Sequence, residues 1–346
     1  MTGTTQGKRR TSLNYQVALA ALLVALIVGF GIAQHVFFHL SVLLDATTIV
    51  GEIGIMALGM TFIITTGGVD LSVGYILQLS AIVFGVTLKH SGNLALAIVM
   101  ALLSGTACGA FNGLIVSKTK IPPLVTTLAT MNLYRGLSFI IAGTNSYSGF
   151  PAGFKRFSTT LLFGAVPIQF LYFLGLFLVF TLVYSRGSLG RTLKGIGFNE
   201  KVLIFSGIRT KRTLLFIYTL TGLMCALASL VYLGRLSAAK TSMGDLLNLQ
   251  VITAVVLGGT SIMGGVGSVF GTFIGVLIIG VLRKGFSLMY LSGNVFNFTL
   301  GLILILALVV FAILEDRKTR LGKQEKASAT PLQASAAEET ADESDS

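Results

Sequence analysis

Two charged side chains fall inside apolar stretches of this sequence, and an aspartate opens a third. Glu52 lies in the outward part of the second apolar stretch, and Arg135 is 13 residues into the fifth, about 20 Å of helix beyond Pro122 at the usual rise. Opposite charges at membrane depth pair with one another or face a water-filled cavity. The spacing therefore offers a Glu52–Arg135 pair, or two side chains that each snorkel to the interface or bond locally. Asp70 stands in the octad GGVDLSVG, residues Gly67 to Gly74. A carboxylate there could carry a proton or cation through a transport cycle. The Gly pair before it and Leu71, Ser72 and Val73 after it also suit a helix N-cap that accepts the first orphan N–H groups. We favour the cap and read Gly67, Gly68, Asp70 and Gly74 as a structural turn.

No catalytic constellation is present. Gly7-Lys8 is followed by Arg9, so there is no phosphate loop, and neither GxSxG nor HExxH occurs. The chain is expected not to be an enzyme by itself, and to need no cofactor. Cys108 and Cys225 sit in apolar spans without a CxxC or a His cluster, and His35, His39 and His90 fall near loop ends, which supports neither a disulfide framework nor a metal site.

The elements that must position these residues are membrane helices. With 53% hydrophobic and 11% charged residues, 41 glycines and a mean hydropathy of +0.86, the chain is far from a soluble domain, whose charged fraction is about a quarter. Apolar runs of about 20 residues suit helices crossing a core of about 30 Å, and strand alternation is absent. The expected fold is all-α and polytopic, with about ten spans near 16–34, 46–66, 70–88, 93–117, 122–142, 161–185, 212–234, 246–263, 265–283 and 295–314. The first run lacks a cleavage site and reads as a retained helix.

Charge orients them. The net +12 collects at Lys118 and Lys120, at seven basic residues between Arg186 and Arg212, and from Arg317 to Lys326. By the positive-inside rule these are cytoplasmic, which leaves Lys155, Arg156, Arg283 and Lys284 outside and both termini inside. Nucleic acid is excluded as a partner by the same distribution, and membrane lipid is the expected surrounding. Residues 1–15 form a cytoplasmic segment, 16–314 a transmembrane domain with its longest cytoplasmic loop at about 186–212, and 315–346 an acidic tail without apolar content to repay ordering, hence disordered. Within that loop Glu200 to Phe205 suits a brief surface helix, a docking element if a soluble partner exists.

Glycines at i, i+4 and i+8 mark close helix contacts: Gly105, Gly109 and Gly113 in the fourth span, Gly267, Gly271 and Gly275 in the ninth. Whether the partner helix is in this chain or a second one is open. Leu58 to Gly74 and Leu257 to Gly271 share LGxT, GGV, SV and a closing Gly, which a structural duplication or chance in Gly-rich sequence would each produce.

The octad resembles the signature of permease subunits of ribose-type sugar ABC importers. Four further stretches agree with that family in order: Asn112 to Gly136, Gly190 to Ile208, Ala254 to Ser268 and Gly271 to Gly285. The resemblance implies a homo- or heterodimer of permeases forming the translocation path. It also implies cytoplasmic ABC ATPase subunits that hydrolyse ATP, and an extracytoplasmic sugar-binding protein, in a bacterial inner membrane. It makes Gly195 to Ile208 the loop coupled to the ATPase, matched at Gly197, Asn199, Glu200, Ser206, Gly207 and Ile208. The chain departs from the family at Lys201 and at Leu203-Ile204-Phe205. Ser146 to Phe157 and Leu124 to Tyr134 look closest to permeases for autoinducer-2, with rhamnose and ribose permeases next. The expected cargo is thus a monosaccharide or sugar-like molecule. A secondary active transporter using Glu52, or a passive channel, stays as the alternative.

Overall fold

The computed structural model describes residues 3–309, with side chains from 15 to 309; the tail expected to be disordered lies outside the described residues. The chain divides into two compact units, residues 1–301 and 302–346, and of the second only residues 302–309 are described.

Helices α1 (Gly3–Ala33), α2 (Leu40–Ala46), α3 (Val50–Thr65), α4 (Val73–Ser91), α5 (Leu94–Lys118) and α6 (Pro123–Ala142) come first. A short segment follows, with strand β1 (Tyr147–Ser148), helix α7 (Ala152–Thr159) and the hairpin β2 (Leu161–Leu162) and β3 (Val166–Pro167). Then come α8 (Ile168–Arg186), α9 (Ser188–Phe205), α10 (Thr210–Leu236), strand β4 (Ala238–Ala239), α11 (Leu247–Leu257), α12 (Val269–Leu288) and α13 (Gly293–Val309). Strand β4 pairs with β1, antiparallel, Tyr147 opposite Ala239.

Each of the ten expected spans overlaps a helix, the last of them described only to Val309. Seven are long and apolar enough to cross a membrane, or eight if α2 and α3, bent by 43°, form one span. Of the others, α11 has 11 residues, about 16 Å of helix, and cannot cross a core of about 30 Å. The segment between α10 and α11, residues 237–246, holds strand β4 and turns and is not helical.

Helix α3 is the hub, because every residue from Val50 to Thr65 is buried. A helix apolar all round has no solvent or lipid face and is enclosed by others. Here α8, α10, α11 and α12 enclose it. Its glycines make that possible: a Cβ on Gly51 would stand 2.7 Å from Gln169 Cβ, and one on Gly59 2.8 Å from Thr221 Oγ1. Between the turns Thr61 and Thr272 bond hydroxyl to hydroxyl at 2.8 Å, joining α3 to α12.

Both glycine series find their partners inside the chain. On α5, a Cβ on Gly105 would lie 2.7 Å from Ala226 Cβ, and one on Gly109 2.8 Å from Gly222 Cα, so α5 and α10 approach backbone to backbone. Gly271 and Gly275 face the carbonyls of Gly258 and Ala254 on α11. Gly109→Leu should therefore lower the melting temperature in detergent by several degrees, since overpacking costs about 1 to 3 kcal/mol, while Gly136→Ala, with open space around it, should not. Equal melting of the two variants would contradict this packing.

The echo between residues 58–74 and 257–271 extends to backbone but not to packing. Gly67 and Gly264, the first glycines of each pair, are left-handed, with φ of 81° and 83°. Yet α11 and α12 pack against each other, whereas α3 and α4 leave their turn on separate courses, with α10 packed against both. The octad is thus a turn between α3 and α4 whose two helices are held by α10.

Candidate functional site

Three glycines that lie far apart in sequence meet where α3 ends. Gly265 N–H donates to Thr65 O at 2.9 Å, tying the turn after α11 to the turn after α3. A Cβ on Gly264 would stand 2.7 Å from Gly67 N and 2.9 Å from Gly197 Cα. One on Gly197 would strike Gly265 N and Thr65 O themselves. Gly197 of α9 therefore rests directly on the hydrogen bond joining the two turns, an approach only a residue without Cβ permits.

The rest of α9 is an elbow around this contact. The loop expected at 186–212 is helix over most of its length, broken at Asn199, whose φ of −166° and ψ of 99° are extended. Asn199 Oδ1 accepts Val202 N–H at 3.3 Å, so the asparagine caps the second arm and Glu200 follows at its first position. That arm ends at Ser206; Gly207 is left-handed at φ 79°, its N–H bonded to Ile204 O and that of Ile208 to Leu203 O, both at 3.0 Å. This is a Schellman close, the physical content of Ser206-Gly207-Ile208. Leu203 folds back on Gly195. Lys194 Nζ lies 4.6 Å from the Tyr184 ring centroid, and partial burial draws its pKa below the ordinary lysine value. Phe198, Val202, Ile204 and Phe205 are left exposed, Phe205 at 91%.

Behind the junction the octad is pinned by side chains. Asp70 Oδ1 accepts Ser72 N–H at 2.8 Å and Ser72 Oγ–H at 2.6 Å, and Oδ2 faces Asn112 Nδ2 at 3.4 Å. Asn112 also donates to Ser72 Oγ at 2.8 Å, and Tyr134 O–H is shared between Asn112 Oδ1 and Cys108 O. Thr127 on α6 and Asn248 on α11 hold Val69 and Leu71 backbone. Asp70 is 1% exposed and Ser72, not Asp70, is the N-cap of α4. The cap expected of Asp70 is corrected to an Asx-type turn two residues earlier, because the helix starts one residue beyond its reach. A Cβ on Gly74 would stand 2.6 Å from Gly244 O, and one on Gly68 2.8 Å from Tyr218 hydroxyl.

At the opposite end of α3, Glu52 is fully buried and pairs with Arg235, whose Nη2 and Nε both reach the carboxylate, the latter at 3.3 Å. The expected Glu52–Arg135 pair is not formed: α6, which carries Arg135, packs on α4 and α5, while α10 brings Arg235 against α3. Arg235 was legible in depth but lay one residue past the expected end of the seventh span. Arg135 is exposed, its guanidinium 5.8 Å from the Tyr75 ring centroid. The structure thus joins Gly67 to Gly197, leaves Glu52 and Arg135 apart, and adds Thr65, Gly264, Gly265, Asn112 and Arg235. Of these only the Gly pair carried a sequence signal, as part of the echo.

The comparisons with known proteins follow the same chain. Residues 42–308 match the family model described as branched-chain amino acid transport system / permease component. The autoinducer 2 import system permease proteins LsrD of Escherichia coli strain K12 and of Shigella flexneri are each 37% identical over 306 residues, covering 87% of this chain and 92% of theirs. That of Escherichia coli O157:H7 is 36% identical over the same span. No solved structure matches. A buried helical hub, glycine-built helix contacts and a family match over residues 42–308 agree: this chain belongs to the branched-chain amino acid transport system / permease component family, as the multi-pass transmembrane subunit of an ABC importer.

Proposed function

We propose that the chain, paired with a second permease subunit, forms the path by which a monosaccharide or sugar-like diol of the autoinducer-2, rhamnose or ribose class enters a bacterial cell. In this reading both termini and the α9 elbow face the cytoplasm, the membrane is the inner one, and an extracytoplasmic binding protein delivers the cargo. A partner ATPase docks on the elbow and hydrolyses the ATP. The observation that carries the reading is the elbow itself, with apolar Val202, Ile204 and Phe205 exposed on its second arm and Gly197 seated on two core turns. An exposed aromatic on a surface that does not face lipid fits a protein partner. Movement of the docked ATPase would then reach α3 and α11 at once through Gly197, rocking the helices between inward and outward openings.

The relatives named for autoinducer 2 import support the cargo class. A proton-coupled transporter would need a free carboxylate at depth, and Glu52 and Asp70 are both engaged by partners.

Phe205→Asp should weaken capture of the ATPase by about thirtyfold, the loss of one interface anchor of about 2 kcal/mol, with the permease still inserted. Glu200→Ala and Gly207→Ala, at the start and close of the same arm, should uncouple ATP hydrolysis from uptake in proteoliposomes. Unchanged uptake and ATPase capture in all three would remove the elbow from the mechanism. Binding of candidate sugars by the extracytoplasmic partner would fix the cargo.

A further inference from the structure

A charged and polar patch is exposed on α6 where lipid would be expected. Arg135 lies 12 residues beyond Pro123, about 18 Å along a helix of about 30 Å, and Asn132, one turn earlier on the same face, is exposed with it. Helical side chains lean toward the N-terminus, which carries the Arg135 guanidinium down to the Tyr75 ring of α4, 5.8 Å away. Tyr75 O–H in turn donates to Asp245 Oδ1 at 3.0 Å. Asp245 is exposed and lies in the turns directly before α11.

The backbone around Asp245 is held in an unusual shape. Leu246 is left-handed at φ 63°, a conformation that costs a non-glycine residue about 1 kcal/mol or more, and α11 begins there without a side-chain cap. Gly244 N–H is held by Gln78 Oε1 at 3.1 Å; Gln78, one turn above Tyr75 on α4, is fully buried and its Nε2 has no partner. Exposed charge and irregular backbone are tolerated where the surface lines water, not where it meets acyl chains.

We propose that Asn132, Arg135 and Asp245, joined beneath by the buried Tyr75, form a polar face on the permeation path, where they exchange hydrogen bonds with a polyhydroxylated cargo as it passes the start of α11. A guanidinium, a carboxylate and an amide together offer donors and acceptors for vicinal hydroxyls. An aromatic ring beneath them suits the apolar side of a sugar-like ring. The identity of the cargo rests on the importer reading above; the placement of the face does not.

Single cysteines decide the placement, since native Cys108 and Cys225 are buried. In proteoliposomes of the full importer, Asn132→Cys and Asp245→Cys should react with a charged methanethiosulfonate about tenfold faster than Ile140→Cys, an exposed apolar position on the same helix, because a charged reagent is excluded from acyl chains. Autoinducer 2 or D-ribose, whichever is transported, should slow that reaction. Arg135→Gln and Asp245→Asn should lower the maximal uptake rate about tenfold, with the half-saturating cargo concentration and the melting temperature unchanged. Labelling no faster than at Ile140→Cys would overturn the proposal, and so would uptake equal to the parent in both charge variants. Oxidative cross-linking of Asn132→Cys between two copies, without protection by cargo, would make the face a subunit contact and overturn it equally. ATP-independent uptake would sink the importer reading while the labelling result stood.

Discussion

Gly197→Ala should abolish most of the coupling between ATP hydrolysis and uptake while leaving the chain in the membrane. The added methyl has nowhere to go: its contacts are Gly265 N and Thr65 O, which are bonded to one another at 2.9 Å, and Gly264 C at 2.9 Å. All three are backbone atoms, so no rotamer change relieves the clash. Either α9 lifts off the junction or the hydrogen bond between the two turns opens. Both cut the one contact through which the elbow touches α3 and α11 together. Uptake should fall by about tenfold or more, the scale on which a displacement of about 1 Å disrupts positioned machinery, and hydrolysis by the docked ATPase should persist. Gly153→Ala, with nothing near its added methyl, serves as the control. Phe198→Ala probes the same seat without backbone conflict, since that ring lies against Gly265, and a smaller loss is expected from it. Uptake by Gly197→Ala within twofold of the parent would show that the seat does not transmit motion.

The second large effect is on stability. Arg235→Met should cost about 3 to 5 kcal/mol, because it strands a fully buried carboxylate without its cation. Arg283, the next cation at that end, donates to Gln250 Oε1 at 3.2 Å and makes no ion pair with Glu52. The double variant Glu52→Leu with Arg235→Met should recover much of the loss, since an apolar pair avoids the desolvation that the ion pair must offset. Arg135→Met should change stability by no more than about 0.5 kcal/mol, as befits an exposed site outside the pair. Thermal unfolding of the four proteins in one detergent gives the comparison. A melting temperature for Arg235→Met equal to that of Arg135→Met would contradict the assigned partner.

That assignment shows where sequence reading stops. Hydropathy located the long apolar helices, since each apolar run reports its own composition. The turn at Gly67 was legible for the same reason, being set by residues a few positions away, whereas the helix end at Ser206-Gly207-Ile208 was not read as one. The partner of Glu52 was not. Depth along the membrane can be counted from a helix end, but the neighbour at that depth depends on which helices lie side by side. A count gave Arg135, and packing gave Arg235.

The amino-acid sequence determined class, the places of the apolar helices and the positions where backbones must come close, because those properties follow from composition and short spacing. Tertiary structure alone decided that α3 is enclosed, that both glycine series are satisfied within the chain, and that Gly67, Gly197 and Gly264 meet. It also decided that Arg135 and Asp245 share an exposed face through Tyr75. In each case the physical reason is the same. A glycine or a buried charge states that something must approach it, and only the arrangement of helices in space says what does.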